Sequence, residues 1–145
     1  MRAQVVRDFA ALAARLLVAW LFVPEGWGKI AAYADVQSYM AQFGVEPRLL
    51  PLAIALELAG GLALAAGLAT RPLAVALGLY SVLTAVLFHS GGDYNDVLEL
   101  HKDLAIAGGL FALAALGPGA WSLDALVARY VMPAWARRRA GAVPR

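Results

Sequence analysis

From Leu49 to Ala69 the chain is almost wholly apolar, and Glu57 is the only ionisable side chain in that stretch. About 20 apolar residues are what a helix needs to cross a hydrocarbon core roughly 30 Å thick. Arg48 stands at one mouth of the segment, and Gly67-Leu68-Ala69-Thr70-Arg71-Pro72 makes a tight polar turn at the other. Three further apolar stretches have helical length. One runs from Phe9 to Lys29, with Arg15 inside it and Pro24, Glu25 and Lys29 at its far end. One runs from Leu73 to Phe88 and stops at His89. The last opens on His101-Lys102-Asp103 and breaks at Gly117-Pro118-Gly119. The pattern predicts spanning helices over 9–30, 49–69, 72–89 and 101–117. A cleaved leader is the rival reading of the first, but a leader's apolar core is only about 7–15 residues long.

Two weaker patterns lie between and after these. Val36, Tyr39, Met40 and Phe43 fall at i, i+3, i+4 and i+7, the spacing of one helical face. Asp35 is placed to cap the start of that helix and Gly44 its end. This predicts a short amphipathic helix over 35–44, lying on the membrane as a lid. After Ser122, the residues Leu123, Leu126, Val127, Tyr130 and Val131 trace a second such face over 122–132. Arg137, Arg138 and Arg139 would then sit among anionic headgroups. The expected fold class is all-α: an integral membrane four-helix bundle, one domain over 1–145, with two interfacial amphipathic helices.

Composition sharpens the picture. Of 145 residues 62% are hydrophobic and 15% charged, and mean hydropathy is +0.69. An ordinary soluble domain carries about 25% charged residues, so lipid is the expected solvent. A net charge of +2 is too small to point to nucleic acid. The chain has no cysteine, which excludes disulfides, CxxC redox chemistry and thiolate metal ligation. Four spans put both termini on one side, and that side then holds nine of the 12 Lys and Arg: Arg2, Arg7, Arg15, Arg71, Arg129, Arg137, Arg138, Arg139 and Arg145. Lys29, Arg48 and Lys102 fall on the other side. The positive-inside rule makes both termini cytoplasmic. Gly60-Gly61, Gly67, Gly78 and Gly108-Gly109 are read as close helix packing.

Depth follows from a rise of 1.5 Å per residue, which puts Glu57 roughly 12 Å and His89 roughly 6 Å below the outer surface. Lys29 is near that surface. Glu57, His89, Lys29 and Glu25 are therefore expected to converge, with His101, Lys102 and Asp103 close above, and Glu25 and Lys29 are spaced to pair at i,i+4. Arg15 lies in the inner half, where it is expected to snorkel to the cytoplasmic headgroups. An embedded acid near a histidine suits proton transfer or hydrogen bonding to a polar head in a greasy pocket, as a quinone needs. The plainer reading makes Glu57 a paired group that fixes helix geometry, and His89 and His101 helix-end residues. His89, His101, Glu99 and Asp103 have no metal-ligand spacing, and Asp93-x-Asn95 does not continue as a calcium loop, so no metal is expected. No nucleophile motif assigns a catalytic residue. Trp20, Trp27, Trp121 and Trp135 read as interfacial anchors.

Several pieces, in order, resemble the DoxX family of small four-helix bacterial membrane proteins. They are Arg15 with Phe22, Gly26 and Lys29; Gly44-Val45-Glu46-Pro47; Glu57-Leu58-Ala59-Gly60-Gly61 with Gly67-Leu68-Ala69-Thr70-Arg71; and Gly117-Pro118-Gly119-Ala120-Trp121-Ser122-Leu123-Asp124. The family takes its name from a subunit associated with a terminal quinol oxidase, and relatives are linked to thiosulfate:quinone oxidoreduction or act as accessory proteins of redox complexes. The resemblance implies a membrane subunit or accessory protein of a quinone-linked oxidoreductase system, with redox-complex subunits as partners. Quinone is then the candidate ligand, with no covalently bound cofactor. Family members often carry a longer outer loop between helices three and four, so this chain offers less material for docking a redox partner. The alternative is a non-catalytic scaffold or lipid-binding protein whose glycine-rich faces pack on a second copy or a partner. Solute transport is disfavoured, because one four-helix unit has little room for alternating access.

Overall fold

The computed structural model describes residues 1–131, and all of its regular structure there is helical. Helix α1 is Arg2–Ala31 and α2 is Tyr33–Gln42. A continuous rod, α3, covers Pro47–Ala66. It opens with a 3₁₀ turn at Pro47–Leu49, and a π turn at Leu56–Gly60 interrupts its α-helical ladder. Helix α4 is Thr70–Phe88, α5 is Tyr94–Leu116 and α6 is Leu123–Val131. The expected 122–132 helix is thus seen up to Val131, while Trp135 and Arg137 to Arg139 lie outside the described residues.

The four long rods close a ring, α1 on α3, α3 on α4, α4 on α5 and α5 back on α1. Phe22, Leu64, Ala74, Leu77, Leu110 and Leu113 fill its centre. The α1–α3 crossing depends on two glycines. A Cβ on Gly26 would lie 3.0 Å from the Leu58 backbone nitrogen and 3.1 Å from Glu57 Cβ, and one on Gly61 would lie 3.0 Å from Val23 Cγ2. Small residues at such points let helix backbones approach closely.

Two rods, Pro47–Ala66 and Thr70–Phe88, are long and apolar enough to cross a membrane, with mean hydropathy 2.0 and 1.7. Only 28% of each apolar stretch is buried within the protein. Leu52, Leu62, Leu79 and Leu83 on these rods, and Leu17 and Trp20 on α1, face outward. A contiguous apolar surface of this extent needs a lipid or protein cover.

Several boundaries differ from the sequence reading. Helix α1 begins at Arg2 rather than near residue 9, so it carries about two further turns, with Arg2, Gln4, Arg7 and Asp8, before the apolar run. Helix α5 begins at Tyr94 rather than 101, because Asp93 caps it by accepting from Asp96 N at 2.9 Å. The connection between α4 and α5 therefore shrinks to residues 89–93. In α2 the helix starts at Tyr33, so Asp35 sits in the first turn without capping it. There its charge complements the helix dipole. Gly44, at φ +70°, does end that helix, with Gly44 N bonded to Ala41 O and Val45 N to Met40 O.

The α3–α4 turn is held by a residue far along the chain. Asp124, at the start of α6, accepts from Ala69 N at 2.7 Å and Thr70 N at 2.8 Å, while its own N–H donates to Gly67 O at 2.8 Å. It caps α4 in place of a local side chain. Asp124→Ala is expected to lower stability by about 1–2 kcal/mol, with Asp124→Asn intermediate, measured by thermal unfolding in detergent. Equal melting of Asp124→Ala and wild type would remove the capping role.

Candidate functional site

The residues singled out in the sequence separate into two groups at opposite ends of the rods. Arg15, Arg71, Gly117, Pro118, Gly119, Ser122 and Asp124 gather where α3 and α5 end. Arg15 is fully buried and donates to Ala65 O at 3.3 Å and Trp121 O at 2.5 Å. Arg71 donates to Ala114 O and Ala115 O at 2.9 and 3.1 Å, and Arg7 donates to Leu116 O at 3.0 Å. Asp8 accepts from Ala120 N at 2.9 Å. Ser122 Oγ donates to Gly119 O and accepts from Ala125 N. Apart from Trp121 O, which precedes α6, these cations meet carbonyls that the last turns of α3 and α5 leave without partners, at the negative ends of those dipoles. The expectation that Arg15 snorkels to headgroups is corrected: its guanidinium turns inward, because carbonyls on α3 and on the chain before α6 both need a donor there.

The other end holds a cavity of about 680 Å³, within the usual 300–1,000 Å³ of small-molecule sites. Glu57 lies at its floor, 3% exposed. The π turn carries Glu57, and close contact at Gly26 presses that turn against α1. Such turns interrupt a helix where a side chain is aimed out of regular phase. Glu57 Oε1 accepts from the Tyr80 hydroxyl at 2.7 Å, and Oε2 lies 2.9 Å from Lys29 Nζ. The Lys29 contact is a close charge pair without hydrogen-bond alignment, so Oε2 has no hydrogen-bond partner among the described residues. Lys29 also reaches Glu25 Oε2 at 3.4 Å, as the i,i+4 spacing predicts. Glu57 therefore ties α1, α3 and α4 together at one point.

Glu25, His89, Glu99, Lys102 and Asp103 line the same cavity nearer its mouth. Lys102 pairs with Glu99 at 2.5 Å. His89 Nδ1 is 4.0 Å from Asp96 Oδ1. His101 is not brought in: it is exposed and lines no part of the cavity. Its Cα follows Leu100 on a helix whose inner face presents Asp103 and Ile106 instead. Among the described residues no three His, Asp or Glu side chains converge as metal ligands. The residue the sequence reading missed is Tyr80. It lies nine residues before His89 on α4, about 14 Å deeper than that helix end, so the depth ruler sets its backbone below Glu57, and only the long phenol side chain brings its hydroxyl to the carboxylate.

Helix α2 covers the cavity through Val36, Tyr39 and Met40. An aromatic trio latches it to the end of α4. Tyr39 stacks on Phe88 with ring centres 5.5 Å apart, and Phe43 meets Phe88 edge-on at 5.3 Å. The apolar walls include buried Leu50 and Phe22. They also include Leu52 and Leu83, which face outward on α3 and α4, so the cavity reaches the apolar surface between those two rods.

Helical throughout its described residues, with apolar outer faces, a buried carboxylate and an arginine clasp (Arg7, Arg15 and Arg71) on the helix ends, this is a small membrane protein. The DoxX family model matches residues 10–90, from α1 through α4 and including the Glu57 site, and the chain belongs to that family. It is 45% identical over 123 residues to Inner membrane protein YqjF of Escherichia coli, covering 84% of this chain and 95% of that protein. It is 32% identical over 126 residues to Inner membrane protein YphA of the same organism, covering 81% and 90%. No solved structure gives a significant match.

Proposed function

We propose that α1, α3, α4 and α5 span the bacterial inner membrane as a four-helix bundle with both termini cytoplasmic. In this reading the protein is a membrane subunit or accessory protein of a quinone-linked oxidoreductase system, and the Glu57 cavity holds the quinone ring in the outer leaflet. The observation that carries it is the buried Glu57 carboxylate, bonded to Tyr80 and paired with Lys29, at the floor of a cavity whose leucine walls reach the apolar outer surface between α3 and α4. An ionisable group inside a membrane segment marks a functional site by default. The orientation rests on the charge count, in which Arg7, Arg15 and Arg71 fall with the termini. Quinone would supply the redox chemistry; the chain itself would hold and orient the ring. Glu57 and Lys29 set the polar contacts, the leucine walls exclude water, and α2 closes the site above.

The test is mass spectrometry of the lipid extract from protein purified in native membrane discs, wild type beside Glu57→Leu. Quinone, counted in both redox forms, is expected to be enriched with the wild type and at background with the variant. Equal content in both would defeat the reading. A second reading, a scaffold without a ligand, is favoured by the three-helix tie that Glu57 makes. It predicts that Glu57→Leu melts earlier while no lipid species changes in amount.

A further inference from the structure

The end of the rods away from the cavity carries an excess of positive charge. Among the described residues it holds Arg2, Arg7, Arg15, Arg71 and Arg129 against two acids, Asp8 and Asp124. Both acids are committed to backbone, Asp8 to Ala120 N and Asp124 to Ala69 N and Thr70 N. Arg7 and Arg71 have no ion pair among the described residues, and both are exposed. Arg7 Nη2 donates to Leu116 O at 3.0 Å, and Arg71 Nη1 donates to Ala114 O and Ala115 O at 2.9 and 3.1 Å. These carbonyls are consecutive, so one turn of α5 carries both guanidinium groups. A helix end presents only about half a negative charge, which two full cations exceed. A guanidinium has several N–H donors in a rigid fork, and here one nitrogen of each is engaged. The rest of each fork is left for an acceptor from outside. The adjoining surface is apolar: Leu116 is exposed, and Val75 and Leu79 face outward one and two turns along α4 from Arg71.

We propose that Arg7 and Arg71 bind the phosphate of an anionic phospholipid, whose acyl chains lie along Leu116, Val75 and Leu79. The inference rests on the membrane-spanning part of the reading above and is independent of its quinone site. Phosphate oxygens are the acceptors a guanidinium fork matches best. Two forks already fixed at one edge by α5 carbonyls lose little freedom on binding them. The apolar surface beside them decides the class of ligand. An acidic peptide or a soluble phosphate would answer the charge and leave that surface bare; a lipid answers both. The charge balance decides the head. A zwitterionic lipid would bring its own cation against an end already rich in arginine, whereas a net negative one would not.

The experiment is native mass spectrometry of the full chain, taken from discs of equal phosphatidylglycerol and phosphatidylethanolamine into detergent. The wild type is expected to retain phosphatidylglycerol in preference to phosphatidylethanolamine. Arg7→Gln with Arg71→Gln is expected to cut that retention at least about tenfold, since each basic residue near an anionic headgroup is worth about fivefold. Arg2→Gln removes the same kind of charge from the same end without a contact to α5, and is expected to retain the lipid as the wild type does. Equal retention of both lipids by the wild type would overturn the inference, and this comparison holds even where the paired variant does not fold. Equal losses in Arg2→Gln and the paired variant would overturn the site in favour of a general field. Displacement of the lipid from the wild type by glycerol 3-phosphate would overturn it in favour of a soluble phosphate. The spanning reading is checked separately by labelling Ala3→Cys and Asn95→Cys in whole cells with an impermeant maleimide. They are expected to label from opposite sides. Labelling of both from one side would overturn the spanning reading and this inference with it, whereas opposite labelling without a lipid preference would overturn this inference alone.

Discussion

Gly67→Ala is expected to destabilise the fold by on the order of 4 kcal/mol or more, from backbone strain and loss of the Arg15 hydrogen bonds together. Gly67 sits at φ +71° where α3 ends, with Leu68 N bonded to Ala63 O. A side chain in that left-handed region costs roughly 1–2 kcal/mol. The larger effect is steric. A Cβ here would overlap Arg15 Nη1 and would lie 2.5 Å from Ser122 Cβ. Arg15 has no room to retreat, being fully buried, so it would forfeit its bonds to Ala65 O and Trp121 O. Hydrogen bonds from a charged group are worth about 1.5–3 kcal/mol each. Gly108→Ala is the matched control, since nothing lies within 4 Å of its added Cβ and it falls inside α5. It is expected to be neutral or slightly stabilising. Thermal unfolding of both variants in one detergent decides the matter. If Gly67→Ala melts with the control, the clasp does not hold the ends of α3 and α6 together.

This clasp explains why the sequence reading found the right residues there and gave one of them the wrong role. Arg15, Arg71, Gly117 and Asp124 were visible as a pattern spread over more than a hundred positions. Their common task depends on where helix ends meet in space, and periodicity along one helix carries no such information. Glu57 was legible because a single acid in an apolar run is conspicuous, and the rise per residue was enough to bring Lys29, Glu25 and His89 to its depth. Tyr80 escaped because a tyrosine in an apolar helix counts as apolar until its hydroxyl has a named partner. His101 was placed near the site by depth alone. Rotation about the α5 axis, which begins a full seven residues earlier than expected, turns Asp103 inward and His101 out. The π turn is likewise silent in the pattern, since Leu56–Gly60 keeps ordinary helical angles at its two bounding residues.

Lys29→Met is expected to be the most damaging change at the cavity end, and Glu57→Gln is expected to rescue it. Removing one partner of a buried ion pair leaves the other charge stranded, typically at a cost of about 3–5 kcal/mol. The geometry points to the upper part of that range for loss of the lysine rather than of the acid. Glu57 keeps only 4% of its side chain exposed, whereas Lys29 keeps 22% and has Glu25 at 3.4 Å as a second partner. Lys29 without Glu57 can turn toward Glu25 and solvent. Glu57 without Lys29 retains only the Tyr80 hydroxyl. Glu57→Gln alone is therefore expected to be mild, and the double variant is expected to recover most of what Lys29→Met loses. A double-mutant cycle on unfolding in detergent measures that coupling. Additive losses would mean that the 2.9 Å contact contributes nothing to the fold, and that Glu57 is held at the cavity floor by Gly26 and Tyr80 alone.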